Sequence, residues 1–189
     1  MKKLIFLITL ALIYTNSVYT QTVSTLIGTK NWPFENKPAN AANINPNSSV
    51  VDKNGNLYFT DNVYKVIRKV SASGLITTIA GNGNKSPKEN GIKAIEARLY
   101  NPNAITIDKN GKLYFGDANR IRTIDSNGII NTIAGVDTIV KDMGDGGMAS
   151  LAQIGSASSI AIDSSDNILF TDGNKVRKIS SSGIITTIA

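Results

Sequence analysis

Residues 101–135, NPNAITIDKNGKLYFGDANRIRTIDSNGIINTIAG, decide the fold. Four runs in this stretch are rich in β-branched and aromatic residues: AITI at 104–107, KLYFG at 112–116, IRTI at 121–124 and IINTIA at 129–134. Turn chemistry separates them, with D-K-N-G at 108–111, D-A-N at 117–119 and D-S-N-G at 125–128. Asp and Asn bond to their own backbone and Gly takes a positive φ at little cost, so each break reverses the chain. The expected structure is a four-stranded antiparallel meander.

Working outward, the same unit occurs twice more. On the N-terminal side it reads VVD (50–52), NLYFTD (56–61), VIRKV (66–70) and LITTIAG (75–81). On the C-terminal side it reads IAID (160–163), NILFTD (167–172), KVRKI (175–179) and IITTIA (184–189). Gly28, Gly81 and Gly135 are 53 and 54 residues apart, and Asp61, Asp117 and Asp172 are 56 and 55 apart. Four strands inside a fixed period of this size are the mark of β-propeller blades. Residues 22–28, TVSTLIG, match the last strand of a unit without the three that should precede it, and read as an orphan outer strand.

The recurring pattern, P-x-x-x-x-x-D-x-x-G-x-L-Y-F-x-D followed by R-I-R and G-I-I-x-T-I-A-G, resembles the NHL repeat. Asp52, Asp108 and Asp163, then Asp61, Asp117 and Asp172, then Arg68, Arg122 and Arg177 recur in register. GDGGMASLAQI at 144–154 is similar to a segment of bacterial NHL proteins. Pro46 and Pro102 have Ala157 as their counterpart; the second unit keeps only Asn90-Gly91 of that glycine-rich segment and the first keeps none. The expectation is an all-β chain of three four-stranded antiparallel blades forming an open arc, a partial propeller. Its parts are a signal peptide at 1–20 and a propeller segment at 21–189, divided into the orphan strand and blades at 29–81, 82–135 and 136–189.

Met1, Lys2 and Lys3, an apolar run from Leu4 to Ile13 and a polar tail to Thr20 have the order of a secretory signal, too short to span a bilayer, so no membrane span is expected after cleavage near Gln21. This implies a secreted, periplasmic or cell-surface protein. Formal net charge is +6, and beyond the leader eighteen basic residues stand against fourteen acidic. They are scattered through the repeats, not clustered with aromatics, so no nucleic-acid partner is expected. The chain contains no cysteine and no histidine, which excludes disulfides, thiolate and histidine catalysis, and histidine- or cysteine-ligated zinc.

The repeated carboxylates read as turn devices and the repeated arginines as long side chains that cover apolar surface and reach a carboxylate. Residues 142–147, DMGDGG, offer the best local metal candidate. Asp142 and Asp145 are hard oxygen ligands of the kind Ca²⁺ takes, although the spacing is not that of an EF-hand and a glycine turn is the preferred reading. No catalytic residue and no other cofactor is assigned. The long connectors, 29–45, 82–101 and 136–156, are where a rigid scaffold would carry ligand-facing residues. Trp32, Phe34, Lys85, Lys88, Glu96, Arg98 and Tyr100 are the candidates, with Glu89 beside them. They suit a protein, peptide or glycan ligand.

The favoured function is therefore an exported ligand-binding or protein-interaction module. The alternative is a lactonase-like, metal-dependent hydrolase, a resemblance that implies a channel metal held by Glu, Asp and Asn; the three glutamates, at 35, 89 and 96, all lie in connectors. An arc of three blades is expected to be a fragment of a longer propeller, because such rings close with about four to eight blades. Further units should follow in the chain or be supplied by another chain, and the 21–189 segment alone is expected to self-associate or be poorly soluble.

Overall fold

The computed structural model describes residues 35–83, 90–136 and 144–189. The leader and the orphan strand at 22–28 lie outside the described residues. Three antiparallel sheets follow one another in chain order. From inner to outer edge the first consists of Pro46–Val51, Leu57–Asp61, Val66–Val70 and Leu75–Ala80, and the second of Pro102–Ile107, Leu113–Asp117, Arg120–Ile124 and Ile129–Ala134. The third comprises Ile160–Ile162, Ile168–Asp172, Lys175–Ile179 and Ile185–Thr187. The first strands of neighbouring sheets lie side by side, so the sheets stand as blades around an open arc.

Aspartate sets the first turn of every blade as the sequence requires. A carboxylate oxygen of Asp52 accepts the N–H groups of Asn54 and Asn56, both at 2.9 Å, and the other accepts the Asn56 side-chain amide and the Tyr58 hydroxyl. Asp108 repeats this with Asn110, Lys112 and Tyr114, and Asp163 with Ser165 and Asn167. These bonds hold the Asp52 carboxyl down at about 2, the Asn56 side chain contributing most. Burial, reinforced by the facing aspartate, pushes the Tyr58 and Tyr114 hydroxyls up to about 12.

Each sheet also carries an outer-edge element that strand patterning does not anticipate. Lys37–Pro38 pairs with Leu75–Ala80, Ile92–Lys93 pairs with Ile129–Ala134, and Met148 bridges Ile184. A 3₁₀ turn follows each: Ala39–Ala41, Ala94–Glu96 and Ala149–Leu151. The connector therefore runs first to the rim, caps the outer strand, and then turns inward between two blades. Its alanines fill the gap. Ala94, Ala97 and Ala152 are completely buried, Ala149 is 1% exposed, and a larger side chain would push the blades apart.

The core lies between blades. Phe59, Phe115 and Phe170, at matching positions of the second strands, are at most 2% exposed. Burying each contributes about 1.5–3 kcal/mol. One cluster joins Ile67 and Ala80 of the first sheet to Leu99, Phe115 and Ile130 of the second, and another joins Ile121 and Ala134 to Ile154, Phe170 and Ile185. The Thr60 hydroxyl donates to the Asn103 carbonyl at 2.6 Å across the first junction. At the second, Gly116 has no side chain and the Ala157 carbonyl comes within 2.9 Å of where a Cβ would stand.

Candidate interaction face

The repeated arginines are not at the surface. Arg68, Arg122 and Arg177 are all fully buried in the third strands of their blades, which excludes them as an exposed ring for anions. Arg177 donates to Asp172 at 3.2 Å, to the Gln153 carbonyl at 3.0 Å and to Asp145 at 2.6 Å. Arg122 lies 3.7 Å from Asp117, and Arg68 lies 3.8 Å from Glu35. A buried guanidinium needs such partners because an uncompensated charge in the interior is strongly destabilising.

The aspartates at the ends of the second strands complete the arrangement from the other side. Asp61 accepts the N–H groups of Asn45 and Tyr64, Asp117 those of Tyr100 and Asn101, and Asp172 that of Gly155. Each carboxylate thus pins the incoming connector to the blade. Burial raises the Asp117 pKa, opposed by these backbone bonds and by Arg122.

A second set of residues caps the outer strands. Glu35, Asn90 and Asp145 occupy one structural position and accept the backbone N–H of Thr78, Thr132 and Thr187, at 2.8, 2.8 and 2.9 Å. The residue after each has a positive φ, 56° at Asn36, 72° at Gly91 and 83° at Gly146. Each of these three donates its own N–H to the outer strand, to the carbonyls of Ile76, Ile130 and Ile185. The glycine-rich element is therefore present in every blade. The first unit keeps it as Glu35-Asn36, a form that hides it from sequence comparison because Asn can adopt the left-handed backbone that Gly otherwise supplies.

Asp145 is accordingly a structural cap. Its two oxygens face the Thr187 N–H and the Arg177 guanidinium, and the Thr187 bond, with help from Arg177, lowers its pKa against the opposing effect of burial. Asp142, Trp32, Phe34, Lys85 and Lys88 fall outside the described residues. Among the described residues no group of three or more His, Cys, Asp and Glu side chains is placed to hold a metal ion.

Glu96, Arg98 and Tyr100 lie within one five-residue segment of the second connector. They are exposed, while Ala97 and Leu99 between them are completely buried. Glu96 ends the 3₁₀ turn Ala94–Glu96, and Arg98 and Tyr100 flank the buried Leu99 in the segment that leaves that turn. The run leads from the rim, where the Glu96 carbonyl accepts the Asn82 amide, to the second-strand end, where the Tyr100 N–H meets Asp117. Sequence reading missed Val63, 59% exposed in the turn of the first blade, and Tyr64, whose hydroxyl accepts the Asn43 amide at 2.8 Å.

Three stacked antiparallel blades with these junctions define a β-propeller segment. A family profile described as the Teneurin NHL domain matches residues 85–142. The chain is 34% identical over 151 residues to Teneurin-1 of Gallus gallus, covering 70% of this chain and 6% of that protein. It is 38% identical over 104 residues to Teneurin-4 of Homo sapiens, covering 52% of this chain and 4% of that one. The chain thus spans a small fraction of the length of these relatives. Among solved structures, an auxiliary nutrient binding protein from Bacteroides ovatus superposes with a TM-score of 0.58 at 21% identity, covering 75% of this chain and 37% of its own. Structural likeness at that identity establishes the fold alone. The chain is an NHL-repeat protein of β-propeller architecture.

Proposed function

We propose that the chain is an exported binding module whose connectors recognise a protein, peptide or glycan ligand. One observation carries this reading. At the positions of the inward run that alternate with the packing residues the blades differ, Ala41, Asn43 and Asn45 in the first, Glu96, Arg98 and Tyr100 in the second, Leu151, Gln153 and Gly155 in the third; all three are exposed in the second blade, whereas Ala41, Asn43 and Gln153 are half-buried. The alternate positions are alike and apolar in all three: Ala42 and Ile44, Ala97 and Leu99, Ala152 and Ile154. A stripe that only packed connectors onto blades would repeat as the packing residues do. Instead one blade exposes an acid, a guanidinium and a phenol within five residues, and aromatic and arginine side chains are the types that dominate recognition surfaces. Similarity to the Teneurin NHL domain supports an interaction role, and the composition of the leader supports export.

Screening the purified chain against a displayed peptide library and a glycan array tests the reading. Hits should weaken at least tenfold in Arg98→Ala and Tyr100→Ala with the thermal midpoint unchanged. Hits insensitive to both variants, or none in either library, would overturn it. N-terminal sequencing of exported protein should begin at Gln21; a product retaining Met1 to Thr20 would overturn export.

A further inference from the structure

The turns between the first and second strands lie at the end of each blade away from the connectors. Between the second and third blades these turns are tied across the gap, where the Lys109 Nζ lies 2.9 Å from the Asp166 carboxylate. Asp166 takes the left-handed position of its turn, with a φ of 60°, at the place where the other two blades have Gly55 at 78° and Gly111 at 85°. The cavity left between these two tied turns has a volume of about 260 Å³.

Between the first and second blades the lysine is kept and the carboxylate is missing. Lys53 corresponds to Lys109, and among the described residues it has no ion-pair partner. Gly111 stands in the place of Asp166, and a Cβ built there would meet nothing within 4 Å. The gap is accordingly larger, about 480 Å³, with Val51 and Ile107 lining it with apolar surface. Asp52 and Asp108 border it too, but their carboxylates are engaged by the backbone N–H groups and tyrosine hydroxyls of their own blades, and Lys109 is held by Asp166. Lys53 is the charge that this cavity leaves without a partner. A volume in the range of about 300–1,000 Å³, apolar walls and a single placed charge are the make-up of a small-molecule site.

We infer that the cavity between the first turns of the first and second blades binds a small organic carboxylate. Its carboxylate pairs with Lys53 as that of Asp166 pairs with Lys109, and its apolar part lies against Val51 and Ile107. An acidic side chain of a protein partner offers the same charge but too little volume to fill the gap. The site lies at the opposite end of the blades from the connector face, and it stands or falls independently of the ligand proposed there.

Phenylacetate and its neutral analogue phenylacetamide, titrated into the purified chain and followed by amide NMR, test this. Phenylacetate should shift the amides of residues 51–54 and 107–111, which line the cavity. Phenylacetamide should bind about three- to fivefold more weakly, the effect of one exposed ion pair. Lys53→Gln should remove that preference. Gly111→Asp, which installs the carboxylate that the third blade carries at Asp166, should weaken phenylacetate well beyond Gly111→Asn, which has the same shape and backbone strain but no charge. An acid and an amide of equal affinity, a preference that survives Lys53→Gln, or equal loss in the two Gly111 variants would overturn the inference. So would an absence of shifts at these residues, or shifts there with a glutamate-rich peptide and none with phenylacetate.

Discussion

Asp145 and Arg177, 32 residues apart in the chain, meet at 2.6 Å with the guanidinium buried and the carboxylate 45% exposed. The pair ties the rim connector to the third strand of its blade, and the second partner of Arg177, Asp172, ties that strand to the second. The equivalent contacts are weaker elsewhere: 3.8 Å to Glu35 in the first blade, and in the second an uncharged Asn90 in the acid's position.

Removing the cation should therefore cost far more than removing the acid. Arg177→Met leaves the nearly buried Asp172 without its counter-charge, and breaking a buried pair in this way costs about 3–5 kcal/mol. Asp145→Asn keeps an acceptor for the Thr187 N–H, as Asn90 does for Thr132, and loses only a half-exposed charge, about 1 kcal/mol. Urea melts of the two variants check the order; equal losses would show that Asp145 is not a replaceable cap.

Acid should loosen the blades through the turn aspartates. The Asp52 carboxyl is held down at about 2, and those of Asp163 and Asp145 are lowered in the same direction, by Asn167 and by Thr187 above all. A depressed folded pKa gives stability that is fully present above the unfolded value of about 3.9 and is lost as pH falls through the folded one. Asp117, raised by burial, works in the opposite sense. The thermal midpoint should fall between about pH 4 and pH 2, and less steeply in Asp52→Asn, which starts lower.

The tyrosines give the mirror-image result in base. Tyr58 and Tyr114 are pushed up to about 12, so their contribution is complete below the unfolded value near 10 and disappears as pH rises through the folded one. Phenolate absorbance should show a late-titrating class in the native chain, and Tyr58→Phe with Tyr114→Phe should abolish it.

Much of this fold was legible in the repeats. The run 129–134 is the observed strand Ile129–Ala134, and AITI at 104–107 extends only to Pro102–Ile107. Both sets of aspartates bond backbone as read, and all three arginines reach a carboxylate. What escaped were elements too short to show a period. Lys37–Pro38 and Ile92–Lys93 are two-residue strands with no alternation to detect. The usable signal was the Ala pair three residues apart at 39 and 42, 94 and 97, and 149 and 152, which becomes visible only when the units are aligned through their connectors. Complete burial of the arginines was hidden as well, because a charged side chain in a strand reads as exposed until its partners, here Glu35 and Asp145 from the connectors, are located. Glu96, Arg98 and Tyr100 were named residue by residue, but that they are separated by two buried residues, Ala97 and Leu99, is a consequence of the blade junction.

Two glycines of the second blade, one in a turn and one at the junction, supply the last test, because they separate backbone freedom from space. Gly128 has a φ of 72° and nothing within 4 Å of where a Cβ would stand. Gly128→Ala should then cost only the left-handed backbone penalty, about 1–2 kcal/mol. Gly135 has a φ of 95°, and a Cβ there would lie 2.1 Å from the Asn119 carbonyl oxygen and 2.9 Å from the Arg120 Cα, both backbone atoms that cannot rotate away. Its N–H also latches the second blade to the third through Ala149. Gly135→Ala must therefore displace either the outer strand or the turn that faces it, adding overpacking of about 1–3 kcal/mol to the conformational cost and loosening the latch. Denaturant melts should place it well below Gly128→Ala, and amide exchange should show protection lost first at Gly135 and the residues around Ala149. Equal stability of the two variants would mean that the junction yields more readily than its close contacts imply.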